Sequence, residues 1–282
     1  MKGVGMASDV TLAGIHTDNY RFLQQHVYSR TGIVLDEGKH YLFETRLSPI
    51  VRRLGLGTIN DLCFLLKKPG DSEIGRQVAE AMTTNETYFF RDPHHYDAIR
   101  SVLLPRLREQ RGDKQTLSFW SAAASTGQEA YSLAMLLLEE GLGDWRVRIF
   151  GTDFSSAALE RARSGIYQQI EVNRGLPTPM LVKYFRRSGV NWQLSDSLRR
   201  LVDFQIGDLR ASMRTLGPFD LVFCRNVLIY FDPDTKRRII EELHSTLFRG
   251  GWLLLGGAET VFGVDKWFER RMVGSATVFV AR

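Results

Sequence analysis

The sequence predicts an α/β fold, a doubly wound and mostly parallel sheet, preceded by an all-helical N-terminal domain. Three observations predict it. From Leu117 onward the strand-like runs TLSFWS, RVRIFGT, LVDFQI, FDLVFC and GWLLLGG are mostly separated by helical stretches, including Gln128–Glu140 and Asp234–Phe248. That alternation is the grammar of parallel strands with crossover helices. The last two runs, FERRMV and ATVFVAR, are joined by Gly274-Ser275, too short for a crossover, so they should pair as an antiparallel hairpin at one edge. The first part of the chain instead reads as short helices.

Taken in order, Thr17 or Asp18 can cap a helix whose Tyr20, Leu23 and Val27 recur at helical spacing and which ends at Gly32. Asp36 starts EGKHYLFETRLSPIVRRLG, which Pro49 should bend or divide. Thr58 starts INDLCFLLKK and Asp71 starts SEIGRQVAEAMTT. These make a helical domain over 1–84, with roughly the first 15 residues expected to be flexible. Residues 85–115 form a linker and a connecting helix, capped by Asp92 with Pro93 at its first position. The sheet domain occupies 116–282. Inside it, residues 165–200 show no clean period and read as an inserted subdomain.

At 282 residues with 44% hydrophobic content the chain can bury a sizeable core. It has no apolar run of membrane-spanning length and no basic-then-apolar leader, so a cytoplasmic protein is expected. Cys63 and Cys224 lie far apart on apolar segments and read as buried free thiols, and no metal-ligand grouping is evident. The positive charge is clustered. Between Glu160 and Arg200, eight basic residues (Arg161, Arg163, Arg174, Lys183, Arg186, Arg187, Arg199, Arg200) face three acidic ones (Glu160, Glu171, Asp196). Lys39, Arg46, Arg52 and Arg53 share a predicted helix with Glu44. Each cluster is either a solvated face or a contact for an acidic macromolecule.

Ligands of open parallel sheets sit at the carboxyl ends of strands, where the strand order reverses. Four such ends can be read: the small-residue turn Ala122–Thr126 followed by Glu129; GTDFS, with Asp153 at its tip; GDL, Gly207 to Leu209; and CRNVLIYF, Cys224 to Phe231. Small residues let backbone amides approach a ligand, yet Glu129 would repel a phosphate there, and neither a P-loop Lys nor a full G-x-G-x-x-G is present. Asp153 can accept both hydroxyls of a ribose. A ribose reader beside a second carboxylate suits S-adenosylmethionine, whose amino-acid ammonium Glu129 could accept, better than NAD.

The stretches NETYFFRD (Asn85–Asp92), WSAAASTGQEAYS (Trp120–Ser132), ARSGIY (Ala162–Tyr167) and FCRNVLIYF (Phe223–Phe231) resemble the chemotaxis receptor glutamate O-methyltransferase family, CheR. The resemblance runs from about Asp18 to the C-terminus. It implies a helical domain joined to a Rossmann-like S-adenosylmethionine-dependent methyltransferase domain with a small inserted β-subdomain. It further implies that Asn85, Thr87 and Arg91 close over the cofactor's methionine end, with Glu129 and Asp153 in the roles above. Asp208 and Leu209 would hold the adenine edge, and Arg225 and Asn226 would line the far wall. Asp208 is a departure, since the family usually has Asn there.

The implied reaction methylates glutamate side chains of chemoreceptors in adaptation and releases S-adenosylhomocysteine. Tyr230, with Arg91 near it, is the candidate for holding the incoming carboxylate; His94-His95 belong to a helix start. Arg46, Arg52 and Arg53 are candidates for contacting the acidic helical region of the receptor. Some family members also tether a receptor's C-terminal peptide through the β-subdomain, but RRSGVNWQLSDSLRR is short and argues against a tether here. A nucleic-acid methyltransferase is the alternative enzyme reading, prompted by the pI near 9.3. It lacks the Asn/Asp-Pro-Pro-aromatic turn after the fourth strand and any RNA module. A cofactor-holding signalling module without turnover is the third reading, and Arg91 and Tyr230 argue against it.

Overall fold

A computed structural model describes residues 11–12, 14–68, 72–259, 263 and 265–282, and the chain divides into two units, Met1–Thr84 and Asn85–Arg282. The expected cap at Asp71 and most of the N-terminal stretch expected to be flexible lie outside the described residues.

In the first unit a two-residue hairpin, β1 (Thr11–Leu12) and β2 (Ile15–His16), precedes α1 (Thr17–Thr31), α2 (His40–Arg53), α3 (Ile59–Leu66) and α4 (Ser72–Ala81). Tyr20, Leu23, Val27, Phe43, Leu47, Leu62 and Val78 are buried. α1 ends at Gly32, whose φ of 74° is the left-handed stop that glycine permits. Thr58 caps α3 in a reciprocal capping box with Asp61. Asp36 caps no helix: the chain turns at Glu37-Gly38, so α2 begins at His40. Pro49 sits inside α2 without dividing it.

The second unit opens with α5 (Pro93–Ala98), a wide π-helical turn (Ile99–Leu103) and α6 (Leu104–Arg111). Pro105 has no N–H for an ordinary helical bond, and the helix widens just before it. Then follow β3 (Thr116–Ala122), α7 (Gln128–Glu139), β4 (Arg146–Asp153) and α8 (Ser156–Ser164). The insertion comprises β5 (Ile166–Gln168), α9 (Gln169–Asn173), α10 (Thr178–Tyr184), β6 (Phe185–Ser188), β7 (Asn191–Leu194) and α11 (Asp196–Arg199). The chain closes with β8 (Val202–Ile206), β9 (Phe219–Cys224), a 3₁₀ turn (Leu228–Tyr230), α12 (Pro233–Ser245), β10 (Leu247–Leu255), β11 (Phe268–Val273) and β12 (Ala276–Ala281).

The main sheet has seven strands in the order β11-β12-β10-β9-β3-β4-β8. β10, β9, β3, β4 and β8 are parallel, and β12 and β11 close the edge antiparallel, as the sequence predicts. Helices cover both faces. Phe119, Leu221, Phe223 and Leu254 pack on one side, Trp120, Phe150, Phe219 and Val222 on the other. The chain leaves central β3 first toward β4 and β8, then returns to place β9 on its other flank. This puts the switch point between the carboxyl ends of β3 and β9. The insertion forms its own sheet, β5-β7-β6. Four of the basic residues between Glu160 and Arg200 are paired: Arg161 meets Glu171 at 2.9 Å, Arg199 Asp196 at 2.6 Å, Lys183 Glu139 at 2.7 Å and Arg174 Glu86 at 2.8 Å. Among the described residues no helix is long and apolar enough to cross a membrane.

Candidate active site

The turn after β3 is built by its neighbour. Ala123 and Ala124 donate their N–H groups to the Thr152 carbonyl at 2.9 and 2.8 Å, and the Ser125 N–H donates to Asp153 Oδ2 at 2.7 Å. Asp153 Oδ1 accepts the Ser155 N–H at 2.9 Å. One carboxylate at the tip of β4 thereby holds the turn and the start of α8 together. The backbone is left-handed at Ala123 (φ 78°), Ser125 (51°) and Gly127 (91°). At Gly127 a Cβ would also stand 2.9 Å from that of Ala162, so both conformation and space require glycine. Ser125 Oγ donates to the Asn85 carbonyl at 2.8 Å, bringing the Asn85–Asp92 stretch to the turn.

Glu129, in the first turn of α7, is buried and both its oxygens are engaged. Oε1 accepts from Ser121 Oγ at 2.7 Å and Oε2 from Arg225 Nη1 at 2.9 Å. Arg225 Nη2 donates at 2.6 Å both to Asp92 Oδ2 and to the Arg91 carbonyl. With only 1% of its side chain exposed, Arg225 is a buried tie between two carboxylates, not an open cleft wall. Asp92 stands at the N-cap of α5, but its side chain makes no cap and goes to Arg225 instead. Burial pushes the Glu129 carboxyl above the ordinary carboxylate range, opposed by Arg225 and by the Ser121 hydroxyl. Burial also opposes the charge on Asp92, but there Arg225 wins and the carboxyl stays below its usual range. Burial, then Arg225 and His94, hold neighbouring His95 down at about 3, so it is neutral at physiological pH.

The loop after β9 is gripped a second time. Glu259 Oε2 accepts the N–H groups of Asn226 at 2.8 Å and Gly256 at 2.7 Å, and Oε1 those of Val227 at 2.9 Å and Leu228 at 2.7 Å. Asn226 is left-handed, with φ 58°. Tyr230 ends the 3₁₀ turn that follows. Sequence reasoning missed Glu259. Its partners are main-chain amides, which leave no side-chain pattern to read.

Other predicted residues fall around these. Asn85 and Thr87 line a cavity of about 300 Å³ with Thr126, Gln128, Ser155 and Ala158. Arg91 donates to the Glu86 carbonyl at 3.0 Å and lies over the Tyr88 ring. Asp208, beyond the end of β8, is held at 2.7 Å by Arg210, and Leu209 beside it is buried. In the first unit, Arg46 donates to the Met82 and Thr83 carbonyls at 2.7 and 2.9 Å, finishing the last turn of α4. Arg53 donates to Gln77, and Arg52 is exposed.

A parallel sheet split at its switch point, with a small-residue turn, an acid at the tip of its second strand and no phosphate-gripping lysine, has the plan of a methyltransferase built for a nucleoside-bearing methyl donor. The family described as CheR methyltransferase, SAM binding domain matches residues 85–277, and the CheR methyltransferase all-alpha domain matches residues 18–83. The chain is 38% identical to a chemotaxis protein methyltransferase of Vibrio parahaemolyticus, covering 92% of this chain and 95% of that one. It is equally identical, over the same shares, to chemotaxis protein methyltransferase 1 of Vibrio cholerae. To the chemotaxis protein methyltransferase of Escherichia coli it is 34% identical over 94% of this chain and 91% of that one. The chain belongs to the CheR methyltransferase family.

Proposed function

We propose that the protein methylates glutamate side chains of bacterial chemoreceptors in the cytoplasm, with S-adenosylmethionine as donor, giving methyl esters and S-adenosylhomocysteine. The observation that carries this reading is the near-complete, two-way coverage by chemotaxis methyltransferases. The donor set fits the cofactor. Asp153 at the tip of β4 and Asp208 after β8 suit ribose hydroxyls and an adenine amino group, and the turn after β3 carries no cation that would seek a phosphate. Asn85, Thr87 and Arg91 take the methionine end, Leu209 the adenine edge and Asn226 the far wall. Glu129 keeps unfilled lone pairs for an ammonium while Arg225 and Ser121 fix its orientation.

When bound, S-adenosylmethionine supplies a methyl group on a cationic sulfur. A glutamate acceptor, with an ordinary pKa of about 4.3, is already ionised at neutral pH and needs no general base. The chain's task is therefore alignment and exclusion of water. Tyr230 holds the incoming carboxylate through its hydroxyl, and Arg91 adds charge nearby. Arg52 and Arg53 offer exposed charge to an acidic receptor helix, whereas Arg46 is engaged in finishing α4. The sheet β5-β7-β6 serves without a receptor tether. Titration with the receptor's C-terminal pentapeptide should give no saturable binding.

The test is transfer of labelled methyl from S-adenosylmethionine to a receptor cytoplasmic fragment, with RNA as the competing acceptor. Label on the receptor that alkali releases as methanol is expected. Alkali-stable label, or label on RNA, would overturn the reading. Calorimetry with S-adenosylhomocysteine tests the cofactor separately, and stoichiometric binding is expected.

A further inference from the structure

We propose that Glu259 is a positioning residue for methyl transfer, acting through the loop that carries Asn226 and Tyr230. The inference rests on the roles proposed above for those two residues.

Glu259 lies just beyond β10, and its carboxylate gathers four amide N–H groups at 2.7–2.9 Å, three of them from consecutive residues of the loop after β9. A concave set of backbone amides is an anion-binding nest, and here the protein fills it with its own carboxylate. Three successive N–H groups can converge on one point only if the backbone curls, and Asn226 takes the left-handed conformation in doing so. Asn tolerates that conformation better than other residues with a Cβ, and the amides it turns inward still need an acceptor, which Glu259 supplies. The curl then delivers the chain into the 3₁₀ turn ending at Tyr230.

The fourth amide, from Gly256, ties the same carboxylate to the exit of the neighbouring strand β10. A Cβ at Gly256 would stand 2.6 Å from Asn226 Nδ2, so the two strand exits are in close contact. The buried carboxylate thus fixes the loop relative to the sheet. Moving Tyr230 by a fraction of an ångström matters if its task is to align an oxygen with a methyl group.

An amide in place of this carboxylate is nearly isosteric but has one acceptor oxygen. It would turn its NH₂ toward two of the four donors. Glu259→Gln, Tyr230→Phe and the double variant should therefore be compared for kcat in methyl transfer and for S-adenosylhomocysteine affinity. Glu259→Gln is expected to lower kcat about tenfold to a hundredfold. Glu259→Asp, which keeps both acceptors, should recover part of the loss. The double variant should lose less than the product of the two single losses, because a displaced Tyr230 has little left to contribute.

Unchanged kcat in Glu259→Gln, or losses that multiply, would overturn the proposal. If Glu259→Gln is insoluble, Glu259→Asp replaces it in both comparisons, and an unchanged kcat or multiplying losses overturn the proposal there too. If Tyr230→Phe alone leaves kcat unchanged, it is the reading of Tyr230 that fails. Glu259 is then tested through Asn226: weakened S-adenosylhomocysteine binding in Glu259→Gln supports it and unchanged binding overturns it.

Discussion

Glu129 and Glu259 are two buried carboxylates that grip adjacent residues of the same loop, and they are held in different ways. Glu129 meets a cation, Arg225, which also reaches Asp92. Glu259 meets four main-chain N–H groups. In the first case a single side chain carries the compensation, and removing it strands two charges. In the second the donors belong to the backbone, so the grip depends on the loop's residues only through the backbone conformation they allow. The first grip is vulnerable to a point change in its partner; the second is vulnerable in Glu259 itself and where a substitution disturbs the backbone, as at Gly256, where a Cβ would stand 2.6 Å from Asn226 Nδ2.

The largest effect should come from breaking the cationic grip. Arg225→Met leaves Glu129 and Asp92 without their cation, and uncompensated charge of this kind costs about 3–5 kcal/mol. Urea unfolding followed by tryptophan fluorescence is a suitable measurement, since all five tryptophans lie in the second unit. The triple change Arg225→Met, Glu129→Gln, Asp92→Asn should recover most of that loss, because no buried charge then lacks a partner. A triple variant as unstable as Arg225→Met would mean that Arg225 acts by packing.

Next in size is Tyr230→Phe, which touches neither grip and so separates positioning of the loop from what the loop presents. Loss of one hydrogen bond to a charged group, about 1.5–3 kcal/mol, would lower kcat roughly tenfold to a hundredfold. S-adenosylhomocysteine affinity should change much less. Equal losses in both would remove Tyr230 from the transfer step.

The two grips also explain what could be read before the structure. The parallel strands, the C-terminal hairpin and the Thr58 cap were legible because each is written in local periodicity or a short motif. Glu129 and Asp153 were legible as acids at strand ends. The pairing of Glu129 with Arg225 spans 96 positions and that of Arg225 with Asp92 spans 133, and nothing in either local sequence announces it. Glu259 was less legible still, because backbone donors are the same for every residue except proline. Asp92 shows the converse error. A motif that reads as a helix cap was right about where the helix begins and silent about the carboxylate's partner. At Asp36 the cap residue was present, but the Glu37-Gly38 turn deferred the helix to His40.

Acid should distinguish the two grips. His95 is buried beside Arg225 and Asp92, and burial with the neighbouring positive charge brings it from an ordinary value of 6.5 to about 3. Between those values the unfolded chain binds a proton that the folded chain refuses. Stability from this source is complete above about pH 6.5 and falls as pH drops, by at most about 1.4 kcal/mol per pH unit. By pH 5 the loss is about 2 kcal/mol. His95→Leu should flatten the slope between pH 7 and 5 in urea unfolding. An unchanged slope would assign the acid sensitivity elsewhere.

The smallest effect on the fold is expected where charges stand in water. Arg52 and Arg53 are exposed at the end of α2, so reversing both to glutamate should change stability by no more than about 1 kcal/mol. Their effect should appear instead in the rate of encounter with an acidic receptor helix. Such steering is screened by salt over roughly 10 Å at 0.1 M ionic strength. The double reversal should slow methylation most at low salt, with the two proteins converging as salt rises. Arg46→Glu makes the contrast internal to one helix. It should cost stability as well, because Arg46 closes the last turn of α4 on the Met82 and Thr83 carbonyls. If the Arg52 and Arg53 reversal left the rate and its salt dependence unchanged while Arg46→Glu lowered both rate and stability, the α2 charges would be structural and the receptor would be read by another face.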